Sequence, residues 1–233
     1  MSEVDRGAPL IVIEGIDGSG KGTQSALLNQ RLNAAGITST LLSFPRYQST
    51  FFGARIGEFL NGQFGALNEL HPFLVSLLYA GDRYESRDLL LASRQSSQAV
   101  VLDRYVPSNI AHQSAKVQGA ERAQLQTWIE QVEYGLFHLP KPDLVILLDV
   151  PVDSSQELIR RKEKRTYTDR ATDLQESDTS YMGAVREAYL SLAEQSPEWR
   201  VVPVTEEGQV RPVETIADDI WQLVQPVLRL KEK

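Results

Sequence analysis

Short apolar runs alternate with longer amphipathic stretches along this chain of 233 residues. Five of the runs have the length of buried strands, and they cover Leu10–Ile13, Thr40–Phe44, Ala99–Leu102, Leu144–Leu148 and Arg200–Val204. Helical patterns separate them, one of which predicts a helix from about Pro72 to Ala92. Short buried strands that alternate with helices are typical of parallel sheets covered on both faces. The pattern therefore predicts an α/β fold with a five-stranded parallel sheet flanked by helices.

The segments with the most distinctive chemistry directly follow predicted strands. Glu14–Gln24 follows the first strand, Phe44–Tyr47 the second and Asp103–Tyr105 the third. The carboxyl ends of parallel strands lie along one edge of a sheet, and ligands of such sheets bind beyond that edge. We therefore expect these three segments to meet in one site.

The first of these segments, Glu14–Gln24, has the features of a phosphate-binding loop. Its glycines allow backbone conformations in which successive N–H groups converge on an anion. The positive end of the following helix dipole lies behind the loop, and Lys21 adds a cation for the β and γ oxygens. The segment predicts a nucleoside triphosphate as substrate, with contacts from Gly15, Gly18, Ser19, Gly20, Lys21, Gly22, Thr23 and Gln24.

One position departs from the usual phosphate-loop pattern. Gly22 stands where Ser or Thr commonly supplies a hydroxyl to Mg²⁺, and the hydroxyl comes one residue later, on Thr23. A metal ion would then be held by phosphates, water and nearby carboxylates such as Asp17.

Composition narrows the class of protein. The length and a 42% share of hydrophobic residues fit one α/β domain, or at most two small ones. There is no apolar stretch of about 18 residues and no apolar segment of the secretory type at the N-terminus, so we expect no membrane association. The absence of cysteine fits a reducing cytoplasm. A net charge of −7 argues against a general nucleic-acid binder.

Rings and charges beyond the loop are further candidates. Tyr79 and Arg83 lie four residues apart and share a helix face, where they could pack a base and pair with a phosphate, or form a surface stack. Asp103 and Arg104 end a fully apolar strand, where burying charge without a function is costly, although a structural ion pair is the alternative. Donors and acceptors suited to a base edge follow at Ser108, Asn109, His112 and Gln113. We assign His112 no acid–base role.

Six cations fall within the eleven residues Arg160–Arg170. For most of them a solvated helix face is one interpretation. Phosphoryl transfer, however, requires neutralisation of the charge on the transferring group and exclusion of water. An arginine-rich flap that closes over two phosphorylated substrates would provide both, and it favours a kinase over a hydrolase.

Together these segments resemble thymidylate kinases, a family of nucleoside monophosphate kinases, in the bacterial form with Phe-Pro-Arg-Tyr and Asp-Arg-Tyr segments. The resemblance covers nearly the whole chain and extends to Leu139–Asp143 and to Asp173, Glu176 and Tyr181. It implies a P-loop NTPase fold with a short arginine-rich lid, in a single domain over residues 1–233. Within it, the phosphate loop is residues 14–24, the acceptor-binding region about 44–113 and the lid about 158–173.

The resemblance also implies an activity and residue roles. The reaction would transfer the ATP γ-phosphate to dTMP, giving dTDP, with Mg²⁺, in a cytoplasmic homodimer. Catalytic roles fall to Lys21, Asp17, Arg104, Arg160 and Arg165, with Arg161 and Arg170 as further lid candidates, because Gly18-Ser19 lacks the loop arginine of some members. The dTMP contacts would be Asp17, Phe44, Arg46, Tyr47, Tyr79, Arg83, Asp103, Arg104, Ser108, Asn109, His112 and Gln113. Asp17 and Glu176 would hold the metal.

Three of these positions carry expectations about specificity. Tyr79 stands where the family usually has a phenylalanine stacked on thymine, and Arg83 where an arginine reads the base edge. His112 stands where close bacterial relatives place a tyrosine near the sugar, a position linked to exclusion of a 2′-hydroxyl.

Two other functions remain open from the sequence. Gly-Lys-Gly-Thr-Gln also resembles adenylate kinases, which leaves a kinase for another nucleoside monophosphate or a deoxynucleoside. A nucleotide-sensing P-loop binding module belongs to a different class. A guanine-dependent switch of that class would need Ser or Thr at position 22 and an Asn-Lys-x-Asp motif, and the sequence has neither.

Overall fold

The computed structural model describes residues 7–65, 69–160 and 178–229. The strands in these ranges are β1 (Leu10–Glu14), β2 (Ser39–Ser43), β3 (Ala99–Asp103), β4 (Leu144–Asp149), β5 (Trp199–Pro203), β6 (Thr205–Glu206) and β7 (Gln209–Val210). The helices are α1 (Lys21–Ala34), α2 (Phe51–Leu60), α3 (Pro72–Glu85), α4 (Arg87–Ser96), α5 (Val106–Ser114), α6 (Gly119–Glu130), α7 (Val152–Arg160), α8 (Thr179–Gln195) and α9 (Val213–Arg229), and Gln131–Leu136 forms a π-helical turn. Within the described ranges, no helix is long and apolar enough to cross a membrane.

Five parallel strands form the central sheet in the order β2-β3-β1-β4-β5. Strand β1 lies in the middle and pairs with β3 on one side and β4 on the other. These three strands are almost entirely apolar and buried because helices cover both faces. The predicted fold class is confirmed, and β2 and β5 each begin one residue before the predicted runs. The small antiparallel pair β6–β7 was not predicted.

A second, smaller apolar cluster joins α2 to α3 beside the main core. Its buried members are Ile56, Phe59, Leu60 and Val75. The two helices approach closely at Gly81, where an added Cβ would lie 2.6 Å from the Phe52 ring. This close contact fixes α3 and the residues that it carries against α2.

The predicted helix from Pro72 to Ala92 is divided into α3 and α4. The break lies at Ser86, whose hydroxyl donates to the backbone carbonyl of Asp82 at 2.9 Å. Serine competes in this way with the regular helical ladder. Ser86 has φ −94° and ψ 0°, and it lies between the end of α3 and the start of α4. As a result Asp82 and Arg83 occupy the last turn of α3.

Candidate active site

The loop between β1 and α1 has the geometry predicted for phosphate binding. Gly15, Gly18 and Gly20 all have positive φ, at 144°, 80° and 90°. A Cβ on Gly18 would collide with the backbone carbonyl of Ser155 and the side chain of Ile159 on α7. A side chain at position 18 is therefore excluded by packing as well as by backbone conformation, which agrees with a loop that carries no arginine.

Lys21 begins α1 at the mouth of this loop. Its Nζ donates to the carbonyl of Ile16 at 2.8 Å and lies 3.9 Å from the Asp17 carboxylate. Burial and, secondarily, the charge of Arg104 lower the pKa of Lys21 to about 7, although Asp17 opposes the shift. A polyphosphate in the loop would favour the charged form of this amine.

The next residues of α1 differ in their surroundings. Thr23 is exposed, whereas the buried Gln24 donates through Nε2 to the carbonyl of Val213 at 2.9 Å and ties α1 to α9. A Cβ on Gly22 would lie 3.2 Å from Oδ2 of Asp103, so a carboxylate lies beside the position usually occupied by Ser or Thr. An ATP contact by Gln24 stays a prediction.

Arg104 joins the phosphate loop to α5. It follows β3 with φ 65°, a left-handed conformation that is uncommon for non-glycine residues. Its guanidinium donates to Asp17 at 2.5 Å and to Ser108 Oγ at 3.2 Å. Its Nη1 also lies 3.3 Å from Nε2 of His112. The strand end thus holds a cation between the loop and the acceptor side of the site.

Glu14, which we predicted only as the first residue of the loop segment, organises the start of α5. Its fully buried carboxylate accepts from the backbone N–H groups of Tyr105 and Ser108, at 2.9 and 3.2 Å. It also accepts from the hydroxyls of Ser108 and Tyr189, at 2.6 and 2.9 Å. Burial raises the pKa of Glu14, and these hydrogen bonds oppose the shift. Glu14 therefore caps α5 from β1 and fixes Ser108 beside Arg104.

His112 is a neutral member of the same network. Burial and the charge of Arg104 lower the pKa of His112 to about 3, so the ring is uncharged at neutral pH. Its Nδ1 lies 3.0 Å from the Tyr181 hydroxyl of α8. That His112 has no acid–base role stays a prediction.

A cleft of about 300 Å³ opens beside the loop at the carboxyl edge of the sheet, a size within the usual range for small-molecule sites. It is lined by Asp17, Ser43, Phe44, Pro45, Tyr47, Tyr79, Arg83, Asp103, Arg104, Ser108, Asn109, His112 and Gln113. All predicted dTMP contacts except Arg46 are in this set, and Ser43 and Pro45 were not predicted. The three segments expected to share a site do so.

Arg46 contacts α3 from the loop that precedes α2. Its guanidinium donates to Ser86 Oγ at 3.2 Å, and its backbone N–H donates to the Asp82 carboxylate at 3.0 Å. Asp82 also accepts from the Thr50 hydroxyl. Arg46 and Asp82 therefore hold the loop before α2 against α3, which shapes the cleft wall, while a direct contact of Arg46 with dTMP stays a prediction.

Two residues that line the cleft, Arg83 and Asn109, contact one buried carboxylate. Nε and Nη2 of Arg83 donate to the two carboxylate oxygens of Glu133, at 2.5 and 2.7 Å. Nδ2 of Asn109 donates to the same carboxylate at 2.8 Å. Glu133 lies in the π-helical turn and was missed, because a single acidic residue in a helical pattern reads as a solvated position. One carboxylate thus orients two residues that line the cleft.

The lid can be located only at its beginning. α7 ends at Arg160, which is exposed. Ser155 and Ile159 of the same helix pack against Gly18, so α7 is anchored on the phosphate loop. Arg161, Arg165, Arg170 and Glu176 lie outside the described residues.

Groups that can bind phosphate thus lie on either side of Asp17, next to a cleft of nucleotide size. They are Lys21 with the loop amides on one side and Arg104 on the other. A P-loop kinase that acts on a nucleotide has this arrangement, and the fold and site define that class. A family model described as thymidylate kinase matches residues 13–215. The chain belongs to the thymidylate kinase family.

Individual relatives agree with this assignment. The chain is 32% identical over 195 residues to the thymidylate kinase of Mycobacterium tuberculosis, which covers 83% of this chain and 90% of that protein. It is 35% identical over 220 residues to a probable thymidylate kinase of Thermococcus onnurineus, covering 92% and 96% respectively. A solved thymidylate kinase from Candida albicans, described as having broad substrate specificity, superposes with a TM-score of 0.73 at 26% identity and covers 94% of this chain and 92% of its own.

These relationships confirm the predicted family and the prediction of an enzyme, a dTMP kinase. They do not favour a kinase for another acceptor or a nucleotide-sensing module. Membership implies ATP and dTMP as substrates, generally with Mg²⁺.

Proposed function

We propose that the chain, as one domain over residues 1–233, transfers the γ-phosphate of ATP to dTMP and forms dTDP for dTTP synthesis. The observation that carries the proposal is Arg104, which donates to Asp17 of the phosphate loop and lines the acceptor cleft at once. A guanidinium in this position can stabilise charge on a phosphoryl group as it passes from donor to acceptor.

On the donor side, the phosphates of ATP would bind to Lys21 and to the backbone N–H groups of residues 15–24. Lys21 donates to the Ile16 carbonyl in the free loop, and a β- or γ-phosphate oxygen would be a stronger, charged acceptor. The lysine would then carry its full charge during transfer, when negative charge spreads over the transferring group.

On the acceptor side, the dTMP phosphate would lie near Arg104 and the base near Arg83. Asn109 donates both to Glu133 and to the Ser76 carbonyl, which leaves its Oδ1 to accept. Nη1 of Arg83 is not used by Glu133 and can donate. An acceptor beside a donor matches the N–H and C=O of the thymine imide, and Tyr79 provides a ring for stacking.

The residues present fit a magnesium ion beside the loop. Asp17 and Asp103 both line the cleft, and Asp103 lies against Gly22, where a hydroxyl ligand is absent. Hard carboxylate oxygens, together with phosphates and water, suit Mg²⁺. We assign Asp17 to the metal and add Asp103, while Glu176 keeps its proposed role. The ion would neutralise charge on the β- and γ-phosphates.

Lid arginines would complete the positive charge around the transferring group. Arg160 is the described candidate, at the end of a helix that packs on the phosphate loop. Arg165 is retained with it as proposed from the family resemblance, and closure of this segment would exclude water.

The acceptor is tested by a coupled assay with MgATP and a panel of dTMP, dUMP, UMP, AMP and dCMP. We expect the highest kcat/KM for dTMP, with dCMP and AMP lower by at least about a hundredfold, since they present the wrong donor and acceptor groups to buried partners. Equal phosphorylation of dTMP and AMP would refute the proposed acceptor. The ratio of dUMP to UMP measures how far His112 and its surroundings exclude a 2′-hydroxyl.

The same proposal includes a homodimer, with ATP and dTMP as small-molecule partners. It also includes a cytoplasmic location. Leu74, Leu77 and Tyr84 form an exposed apolar stripe along α3, at 62%, 38% and 50% exposure. A second copy packed on this stripe would bury it. The lack of cysteine and the net charge of −7 support a reducing compartment and no nucleic-acid partner, and we propose no membrane partner.

The dimer is expected to separate when charge is placed on the stripe. Leu74→Glu/Leu77→Glu should elute as a monomer in size exclusion with light scattering, whereas the wild type and the control Leu89→Glu on α4, also exposed at 41%, should elute as dimers. A monomeric wild type at micromolar concentration would contradict the proposal.

A further inference from the structure

Two charged side chains of opposite sign lie behind the acceptor cleft without being among its lining residues. Glu133 contacts Asn109, and Lys116 contacts Gln113. Asn109 and Gln113 are four residues apart on α5, share one face of that helix, and both line the cleft. Each primary amide can point either its oxygen or its NH₂ group into the cleft. The contact on the side away from the cleft therefore determines whether the amide offers an acceptor or a donor to a ligand.

The Asn109 amide is oriented by a group that can only accept. The carboxylate of Glu133, which is paired with Arg83, takes one Nδ2 hydrogen at 2.8 Å, and the Ser76 carbonyl takes the other at 3.0 Å. Oδ1 of Asn109 is buried and has no hydrogen-bond partner among the described residues. Asn109 therefore offers an acceptor.

The Gln113 amide is oriented by a group that can only donate. The Lys116 ammonium donates to Oε1 at 3.0 Å, and Nε2 is buried without a hydrogen-bond partner in the part of the chain that the structure describes. Nζ of Lys116 lies 5.5 Å from the centre of the Phe59 ring and 5.8 Å from the centre of the Tyr181 ring. Burial lowers the pKa of Lys116 to about 8, which still leaves it charged at neutral pH.

We infer that Glu133 and Lys116 are positioning residues that set the two amides in opposite orientations, and so determine which base the cleft selects. Reversing either amide would place a carboxylate against an oxygen or an ammonium against an NH₂ group, and each such contact is repulsive. The cleft then presents a fixed acceptor on Asn109 and a fixed donor on Gln113. This pair suits a base with an imide edge and disfavours cytosine, whose N3 accepts and whose N4 donates. The inference rests on the proposed function of the same cleft.

The test substitutes Lys116 and measures acceptor selectivity. Lys116→Met keeps an unbranched apolar side chain of similar length but removes the donor, so the Gln113 amide can rotate. At saturating ATP and pH 7, we expect the kcat/KM ratio of dTMP to dCMP to fall roughly tenfold, mainly through KM for the acceptors. The KM for ATP should stay within about twofold, and Lys116→Arg, which still only donates, should retain the wild-type ratio.

The outcomes separate this inference from the proposed function. If the wild type does not prefer dTMP, the proposed function fails. If the wild type prefers dTMP and folded Lys116→Met keeps the same dTMP-to-dCMP ratio, the orienting role of Lys116 is refuted alone. Glu133→Gln provides a second test. If circular dichroism shows that this variant is folded, its dTMP-to-dCMP ratio of kcat/KM should also fall. If that variant unfolds, the methionine variant decides.

Discussion

Lys21→Met is expected to lower kcat by about 10²–10³-fold while the protein stays folded, because it removes a preorganised cation from the donor phosphates. Lys21 is buried at the start of α1, where its Nζ donates to the Ile16 carbonyl at 2.8 Å and lies 3.9 Å from Asp17. Methionine has a similar stem, so packing is preserved. A steady-state coupled assay gives kcat, and thermal unfolding by circular dichroism reports the fold.

The matched control is Lys141→Met, which removes an exposed lysine stacked over the Tyr134 ring. It should leave kcat within about twofold, since exposed charges far from a site contribute little. Loss of activity in both variants, or full activity in Lys21→Met, would contradict the role of Lys21 in the phosphate loop.

The lowered pKa of Lys21 gives a second measurement on the same residue. With a pKa of about 7 in the free protein, Lys21 is mostly neutral at pH 8 and mostly charged at pH 6. Bound phosphates raise the pKa, so ATP binding should take up close to one proton at pH 8 and little at pH 6. Calorimetric titration in two buffers of different ionisation enthalpy measures this uptake. Lys21→Met should abolish it, and an unchanged uptake in that variant would show that another group titrates.

The parts of the site that depend on local sequence were predictable. The phosphate loop follows from glycines at fixed spacing between an apolar run and a lysine, and the strands follow from short apolar runs. The cleft could be anticipated because parallel strands bring their carboxyl ends to one edge, which placed Asp103 and Arg104 beside Asp17. These predictions required no knowledge of which side chains pair.

The parts of the site that depend on long-range pairing were not predictable from the sequence. Glu133 lies 50 residues from Arg83 and 24 from Asn109, and its sequence neighbours give no indication of its burial. Glu14 was predicted only as the first residue of the loop segment, although it caps α5 across 91 residues. The contacts of Arg46 with Asp82 and Ser86 could not be read from its sequence neighbours either. A charged residue can be identified as buried only when its pairing partner is known, and a single sequence does not show which residues pair.

Arg83→Ala is expected to have two separate effects, on dTMP binding and on stability. Loss of the guanidinium should raise KM for dTMP by about a hundredfold with little change in KM for ATP, because a buried hydrogen-bonding partner of the base is removed. It also leaves the fully buried Glu133 without its cation. Breaking a buried pair from one side costs about 3–5 kcal/mol of unfolding free energy. Denaturant unfolding measures the second effect and the coupled assay the first.

A double variant and a matched control distinguish binding from structure. Arg83→Ala/Glu133→Gln removes the unpaired charge, so it should regain a large part of the lost stability. The affinity for dTMP should stay low, because this variant lacks both Arg83 and the carboxylate that orients Asn109, and Glu133→Gln alone measures the second effect. Arg186 forms a similar two-bond pair with Asp149 outside the cleft, at 34% and 20% side-chain exposure. Arg186→Ala should therefore cost about 1 kcal/mol or less and leave both KM values unchanged. If the double variant restored KM for dTMP as well as stability, Arg83 would act on the cleft only through the fold. Removing the charge at position 133 cannot supply the hydrogen bond that Arg83 is proposed to donate to the base.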